Sequence, residues 1–137
     1  MPSLPGLDHF ALTVTDVEKS AAFYAVLLGV QPSSTMNDGP FVRRKFTLAG
    51  GLGLGLTEHR PSEGLGTFDE QNPGLDHVGF SVAGIAQLEE WEAHLDSMGV
   101  QHSGLITASY GTVLSFKDPD GVALEFFAPA QAPDPSA

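Results

Sequence analysis

Leu7-Asp8-His9-Phe10-Ala11-Leu12-Thr13-Val14 returns in the second half of the chain as Leu75-Asp76-His77-Val78-Gly79-Phe80-Ser81-Val82. Both octapeptides alternate large apolar residues with small or polar ones at period two, as half-buried strands do. A helix pattern follows each. In the first copy Asp16 is placed to cap a helix whose apolar stripe is Val17, Ala21, Tyr24, Leu27 and Leu28, and Gly29 suits the left-handed residue after its end. In the second, Ile85, Leu88, Trp91, Leu95 and Met98 recur at helical spacing before Gly99. Gly29-Val30 and Gly99-Val100 keep nearly the same separation as His9 and His77, so the copies stay aligned through the helices.

Each copy then reads as further strands. The first half predicts them near Phe41–Leu48 and Leu52–Thr57. The second predicts them near His102–Thr107, Gly111–Phe116 and Val122–Phe127. Asp118-Pro119-Asp120-Gly121 is a turn, with proline fixing φ and glycine accepting a positive φ. Gly50-Gly51 plays the same part at the equivalent place in the first copy. Residues 1–6 form an N-terminal extension, 7–57 a first module and 75–128 a second. Residues 58–74, which contain Gly, Pro, Ser and Asp without periodicity, form a linker that can serve as a lid. Residues 129–137, rich in Pro and Ala, read as a disordered tail. The fold class is α+β: two βαβββ modules whose sheets curl around a shared cleft. Neither module is large enough to be comfortable alone, so they pair within one chain or across a homodimer.

Composition narrows the function. Six Lys+Arg oppose seventeen Asp+Glu, a formal charge of −11, which disfavours phosphate backbones and anionic lipid. The cluster Arg43, Arg44 and Lys45 does not reverse this, so no nucleic-acid or membrane partner is expected. No apolar run approaches the ~18 residues of a membrane span. The N-terminal residues lack a signal-peptide pattern, and there is no cysteine. These features predict a cytoplasmic protein without thiolate chemistry.

Strand parity selects the candidate site. Phe10, Leu12 and Val14 share the face that packs on a helix, while His9, Ala11 and Thr13 share the other. Val78, Phe80 and Val82 likewise oppose His77, Gly79 and Ser81. In the last strand Leu124 and Phe126 face the helix and Glu125 points away. A carboxylate inside Leu-Glu-Phe-Phe must be neutralised, paired or metal-bound. Ordinary hydrogen bonding is the bland reading for any one of these residues. Two histidines at repeat-equivalent places with a facing glutamate favour a divalent metal (Fe, Mn, Ni or Zn) held by His9, His77 and Glu125. Tyr110 and His102 are candidate acid and base groups.

The Leu-Asp-His elements, the helix ends Leu-Gly-Val and Met-Gly-Val, and Asp-Pro-Asp-Gly-Val-Ala-Leu-Glu resemble the vicinal oxygen chelate superfamily over about residues 5–128. That group includes glyoxalase I, extradiol dioxygenases, methylmalonyl-CoA epimerase, and fosfomycin-resistance and bleomycin-binding proteins. The resemblance implies His9, His77 and Glu125 as metal ligands. Members with a fourth ligand carry it on the last strand of the first module, where this chain has Gly55. His59 has the right parity but lies about 13 Å further along. The pattern departs from glyoxalase I and the epimerase. Val122 and Ala123 stand where fosfomycin enzymes place a basic residue to hold a phosphonate. The resemblance implies a metal-dependent glyoxalase- or dioxygenase-like enzyme. Its substrate would be a small, largely apolar molecule chelated through vicinal oxygens, in extradiol-type oxygenation or lyase/isomerase chemistry. The alternative is a non-catalytic protein that sequesters an antibiotic or toxin, as bleomycin-resistance proteins do.

Overall fold

The computed structural model describes residues 1–37, 39–60 and 65–131. The chain divides into two compact units, Met1–Gly66 and Thr67–Ala137. Each carries four strands and one long helix. In unit 1 these are β1 (His9–Thr13), α1 (Val17–Leu28), β2 (Ser34–Met36), β3 (Phe41–Thr47) and β4 (Gly53–His59). Unit 2 contains β5 (Val78–Ser81), α2 (Ile85–Ser97), β6 (His102–Ala108), β7 (Gly111–Lys117) and β8 (Ala123–Pro129). The sheet orders are β1-β4-β3-β2 and β5-β8-β7-β6, so the second unit repeats the topology of the first. In each, the first and last strands pair in parallel and the others are antiparallel. The α+β, two-module βαβββ expectation is met as two separate four-stranded mixed sheets.

Local chemistry explains why each unit folds this way. Asp16 caps α1 through its side chain, which accepts a hydrogen bond from the Lys19 amide at 3.1 Å. Glu58 on β4 accepts another from the Val17 amide at 2.8 Å, tying the helix start to the sheet. Gly29 follows α1 with φ 68°, a left-handed conformation that a side chain disfavours. The buried faces are those expected from parity. Leu12, Leu54, Leu56 and Phe46 form the core of unit 1 with Tyr24 and Leu27, while Leu114, Leu124 and Phe126 form that of unit 2 with Leu88 and Leu95. Phe126 lies under Trp91, with ring centroids 4.2 Å apart and nearly parallel, and Phe116 also stacks on Phe126, at 5.3 Å.

Three differences from the sequence expectation stand out. β2 has no signal in the sequence. Its three exposed residues have no apolar alternation, and it exists by pairing with β3, Ser34 opposite Lys45 and Met36 opposite Arg43. The strands built on the two octapeptides are shorter than the octapeptides, and His77 lies just before β5. The segment after residue 64 is anchored: the Phe68 amide donates to the Asp120 carbonyl at 3.0 Å, on the β7–β8 turn. Residues 61–64 of the expected linker and 132–137 of the expected tail lie outside the described residues. Among the described residues, no helix is long and apolar enough to cross a membrane.

Candidate functional site

Unit 2 presents a carboxylate and an imidazole together. β8 buries Leu124, Phe126 and Ala128 on its α2 side and turns Glu125 and Phe127 to the opposite, open face. Gly79 is the strand partner of Glu125, and a Cβ on Gly79 would stand 3.4 Å from Glu125 Oε1. The glycine therefore leaves one side of the carboxylate bare. His77 Nε2 is 3.5 Å from the same Oε1. On its other edge, His77 Nδ1 donates to Asp76 Oδ1 at 2.6 Å. That hydrogen bond raises the His77 pKa above the ordinary histidine value; desolvation opposes it, and the Glu125 charge reinforces it. An imidazole whose Nδ1–H is held by a carboxylate keeps Nε2 as its lone-pair nitrogen, the arrangement that orients histidine for a metal.

Unit 1 repeats half of this device. His9 Nδ1 donates to Asp8 Oδ2 at 2.6 Å. The hydrogen bond and charge of His9 hold the Asp8 carboxyl below its usual range. Strand register then sets out the open face in rows: His9 beside Gly53, Ala11 beside Gly55 and Lys45, and Thr13 beside Thr57 and Arg43. A pocket of about 340 Å³ opens over this face, lined by His9, Ala11, Gly55, Arg43 and Lys45, with Ser34 and Met36 from β2. The Lys45 arm lies across Gly53, whose missing Cβ would stand 2.7 Å from Lys45 Cε and 2.9 Å from His9 Cβ.

The two open faces are built alike and charged oppositely. Glu125 pairs with Ser115, and at the equivalent rung of unit 1 Gly55 pairs with Lys45. The first face thus carries an ammonium group where the second carries a carboxylate beside a serine. The first face puts two cations, Arg43 and Lys45, into the pocket wall. Among the described residues, no three His, Cys, Asp or Glu side chains gather closely enough to hold a metal ion. His77 and Glu125 are brought together, and His9 belongs to the other unit.

The remaining candidates separate. His102 pairs with Phe116, so it shares the helix-backed face rather than the face of Glu125. Its Nε2 donates to Asp96 at 2.7 Å and its Nδ1 accepts from the Gly104 amide at 3.0 Å. Both ring nitrogens are engaged, one by Asp96 on α2 and the other by the Gly104 amide within β6. Tyr110 sits in the β6–β7 turn, 66% exposed, its ring nearly parallel to Phe127 at 6.3 Å. Phe127 shares the Glu125 face, so Tyr110 stands at one end of that face. Glu58 points to the helix side, as parity requires. His59 ends β4, beyond Gly55, with its ring edge-on to Phe41 at 6.4 Å.

Two features are missed by the sequence reading. Asp8 and Asp76 have no role in the motif until the structure pairs them, although an acid directly before each histidine is a readable signal. Arg43 and Lys45 look like part of a basic cluster. Their i, i+2 spacing puts both on the pocket face, while Arg44 alternates to the helix side and pairs there with Glu18.

Comparison with known proteins agrees with this architecture. The model of the glyoxalase/bleomycin resistance protein/dioxygenase superfamily matches residues 6–126. A glyoxylase/bleomycin resistance protein/dioxygenase domain from Frankia sp. EAN1pec is 32% identical, with TM-score 0.87, covering 95% of this chain and 96% of its own. The fosfomycin resistance protein FosX from Listeria monocytogenes is 20% identical with TM-score 0.72, covering 93% and 96%. A FosX mutant was solved with Mn(II) and 1S,2S-dihydroxypropylphosphonic acid; it is 20% identical with TM-score 0.71, covering 93% of each chain. No curated protein matches the chain.

Proposed function

The chain belongs to the glyoxalase/bleomycin resistance protein/dioxygenase superfamily, and on that premise we propose that it is a metal-dependent enzyme acting on a small molecule that chelates the metal through adjacent oxygens. The observation that carries the reading is the duplicated Asp–His pair. Asp8–His9 and Asp76–His77 each hold Nδ1–H at 2.6 Å and leave Nε2 for a metal, and His77 Nε2 already faces Glu125. Two imidazoles and a carboxylate suit Mn, Fe, Ni or Zn and leave coordination positions for substrate. Gly55 supplies no fourth side chain.

In this reading His9, His77 and Glu125 hold the metal. Such an ion supplies Lewis acidity to the chelated oxygens. Asp8 and Asp76 fix ring orientation, and Asp76 raises the basicity of His77. Gly79 keeps the flank of Glu125 open, and Tyr110 offers a phenol at the end of the same face for proton transfer. The homodimer expected from sequence is part of this reading.

The test is metal content of protein purified without chelator, followed by Mn(II) titration of wild type and His77→Ala. Wild type binds one ion per site, and the variant loses it. A wild type that carries no metal and takes up none favours the sequestering reading instead, in which ligand binding survives Glu125→Ala and no turnover occurs.

A further inference from the structure

We propose that the pocket of unit 1 is an oxyanion subsite, so that the ligand of this protein is a small anion whose carboxylate or phosphoryl group is held by Arg43 and Lys45. This rests on the site reading above and names its substrate class. Cations are scarce in this protein: the chain has only six Lys and Arg against seventeen Asp and Glu. Two of those six line one pocket of about 340 Å³. A random surface of this composition would pair them with acids. Arg44, between them in sequence, is so paired, to Glu18. Among the described residues, neither Arg43 nor Lys45 forms a salt bridge with a carboxylate; the Lys45 charge reaches Asp8 only as the smallest of the influences on its carboxyl.

Both cations are pre-positioned. Arg43 Nε donates to Thr57 Oγ1 at 2.8 Å, and its guanidinium lies 4.7 Å from the centre of the Phe41 ring. That fixes the plane and leaves the two terminal nitrogens to donate side by side, the geometry that matches an oxyanion. Lys45 lies over Gly53, which has no side chain to block it, and His9 Cβ flanks the same glycine. Its ammonium is a point charge on the histidine side of the pocket, while Arg43 is one strand row further, about 7 Å along β3. The floor between them is Gly55 and Ala11, which projects nothing larger than a methyl. Two like charges on one strand face repel each other, and a bound anion relieves that repulsion. The ligand thus has oxygens at the His9 end and an anionic group directed along β3.

The test is a titration at constant ionic strength of the full chain with inorganic phosphate in one arm and acetate in the other, followed by the amide NMR signals of Gly53 and Gly55. Wild type shows a saturable shift in at least one arm, and the tighter arm identifies phosphoryl or carboxylate as the group. Lys45→Met and Arg43→Gln weaken binding at least tenfold, Arg43→Lys weakens it less, and Arg44→Gln leaves it within twofold. Unsaturable shifts in both arms, equal affinity in Lys45→Met, or an equal loss in Arg44→Gln overturns the proposal. If metal uptake fails while this pattern holds, the metal reading falls and the oxyanion subsite stands. If metal binds and neither anion saturates, the reverse follows.

Discussion

Replacing Gly53 by alanine tests the packing from which the unit 1 pocket is built. A Cβ there would stand 2.7 Å from Lys45 Cε and 2.9 Å from His9 Cβ. Lysine can swing aside at little cost, because the clash is with the far end of a flexible arm. His9 cannot, because its Cβ is one bond from the β1 backbone, directly opposite Gly53 in the parallel pair. β1 and β4 must separate locally, an overpacking cost of about 1–3 kcal/mol. Losing a glycine restrains the unfolded chain and returns about 0.4–1 kcal/mol. The net is a loss of roughly 1–2 kcal/mol, which for a small protein moves a urea midpoint down by about 0.5–1 M. Gly79→Ala is the matched control. Its Cβ would meet only Glu125, at 3.4 Å and 3.7 Å, which is near ordinary contact. Its midpoint should stay level or rise. Equal midpoints for the two variants would refute the placement of Lys45 and His9 over Gly53.

Two further outcomes follow from the same geometry. In metal-free protein Asp76→Asn lowers the His77 pKa, because the hydrogen bond to Asp76 is the main cause of its rise. The raised pKa means that the folded state holds this proton more tightly, so its stabilising contribution is present at low pH and fades as pH climbs through the folded-state pKa; NMR titration of the ring protons reads it, and an unchanged or higher value contradicts the role of Asp76. Gly111→Ala costs about 3–5 kcal/mol, combining a disfavoured positive φ with overpacking, since φ is 157° and a Cβ would stand 2.4 Å from the Ala128 carbonyl oxygen. A urea midpoint within error of wild type would show that β7 and β8 do not approach so closely.

Much of this arrangement is legible in the chain. The repeat of Leu-Asp-His fixes two equivalent strands, and period-two alternation assigns His9, His77 and Glu125 to open faces because the opposite faces carry Leu12, Val82 and Phe126 for the core. Asp16, Gly29 and Gly99 mark helix ends through capping and positive φ, which are local effects. What escapes a sequence reading depends on pairing. Ser34–Met36 becomes a strand only through β3. His102 reads as a free imidazole until the α2–β6 corner supplies Asp96 and Gly104. Arg43 and Lys45 acquire meaning only when β4 opposes them with Thr57 and Gly55, because composition alone hides which face a charge is on.

The central claim is that His9 and His77 bind one metal through Nε2 together with Glu125. Pulsed EPR of the Mn(II)-loaded protein reads the coordinated imidazole nitrogens directly. Two coupled histidine nitrogens in wild type, one in His9→Ala and one in His77→Ala, are the predicted result. Bound Mn(II) with no histidine nitrogen coupling, or coupling that survives both substitutions, would contradict it.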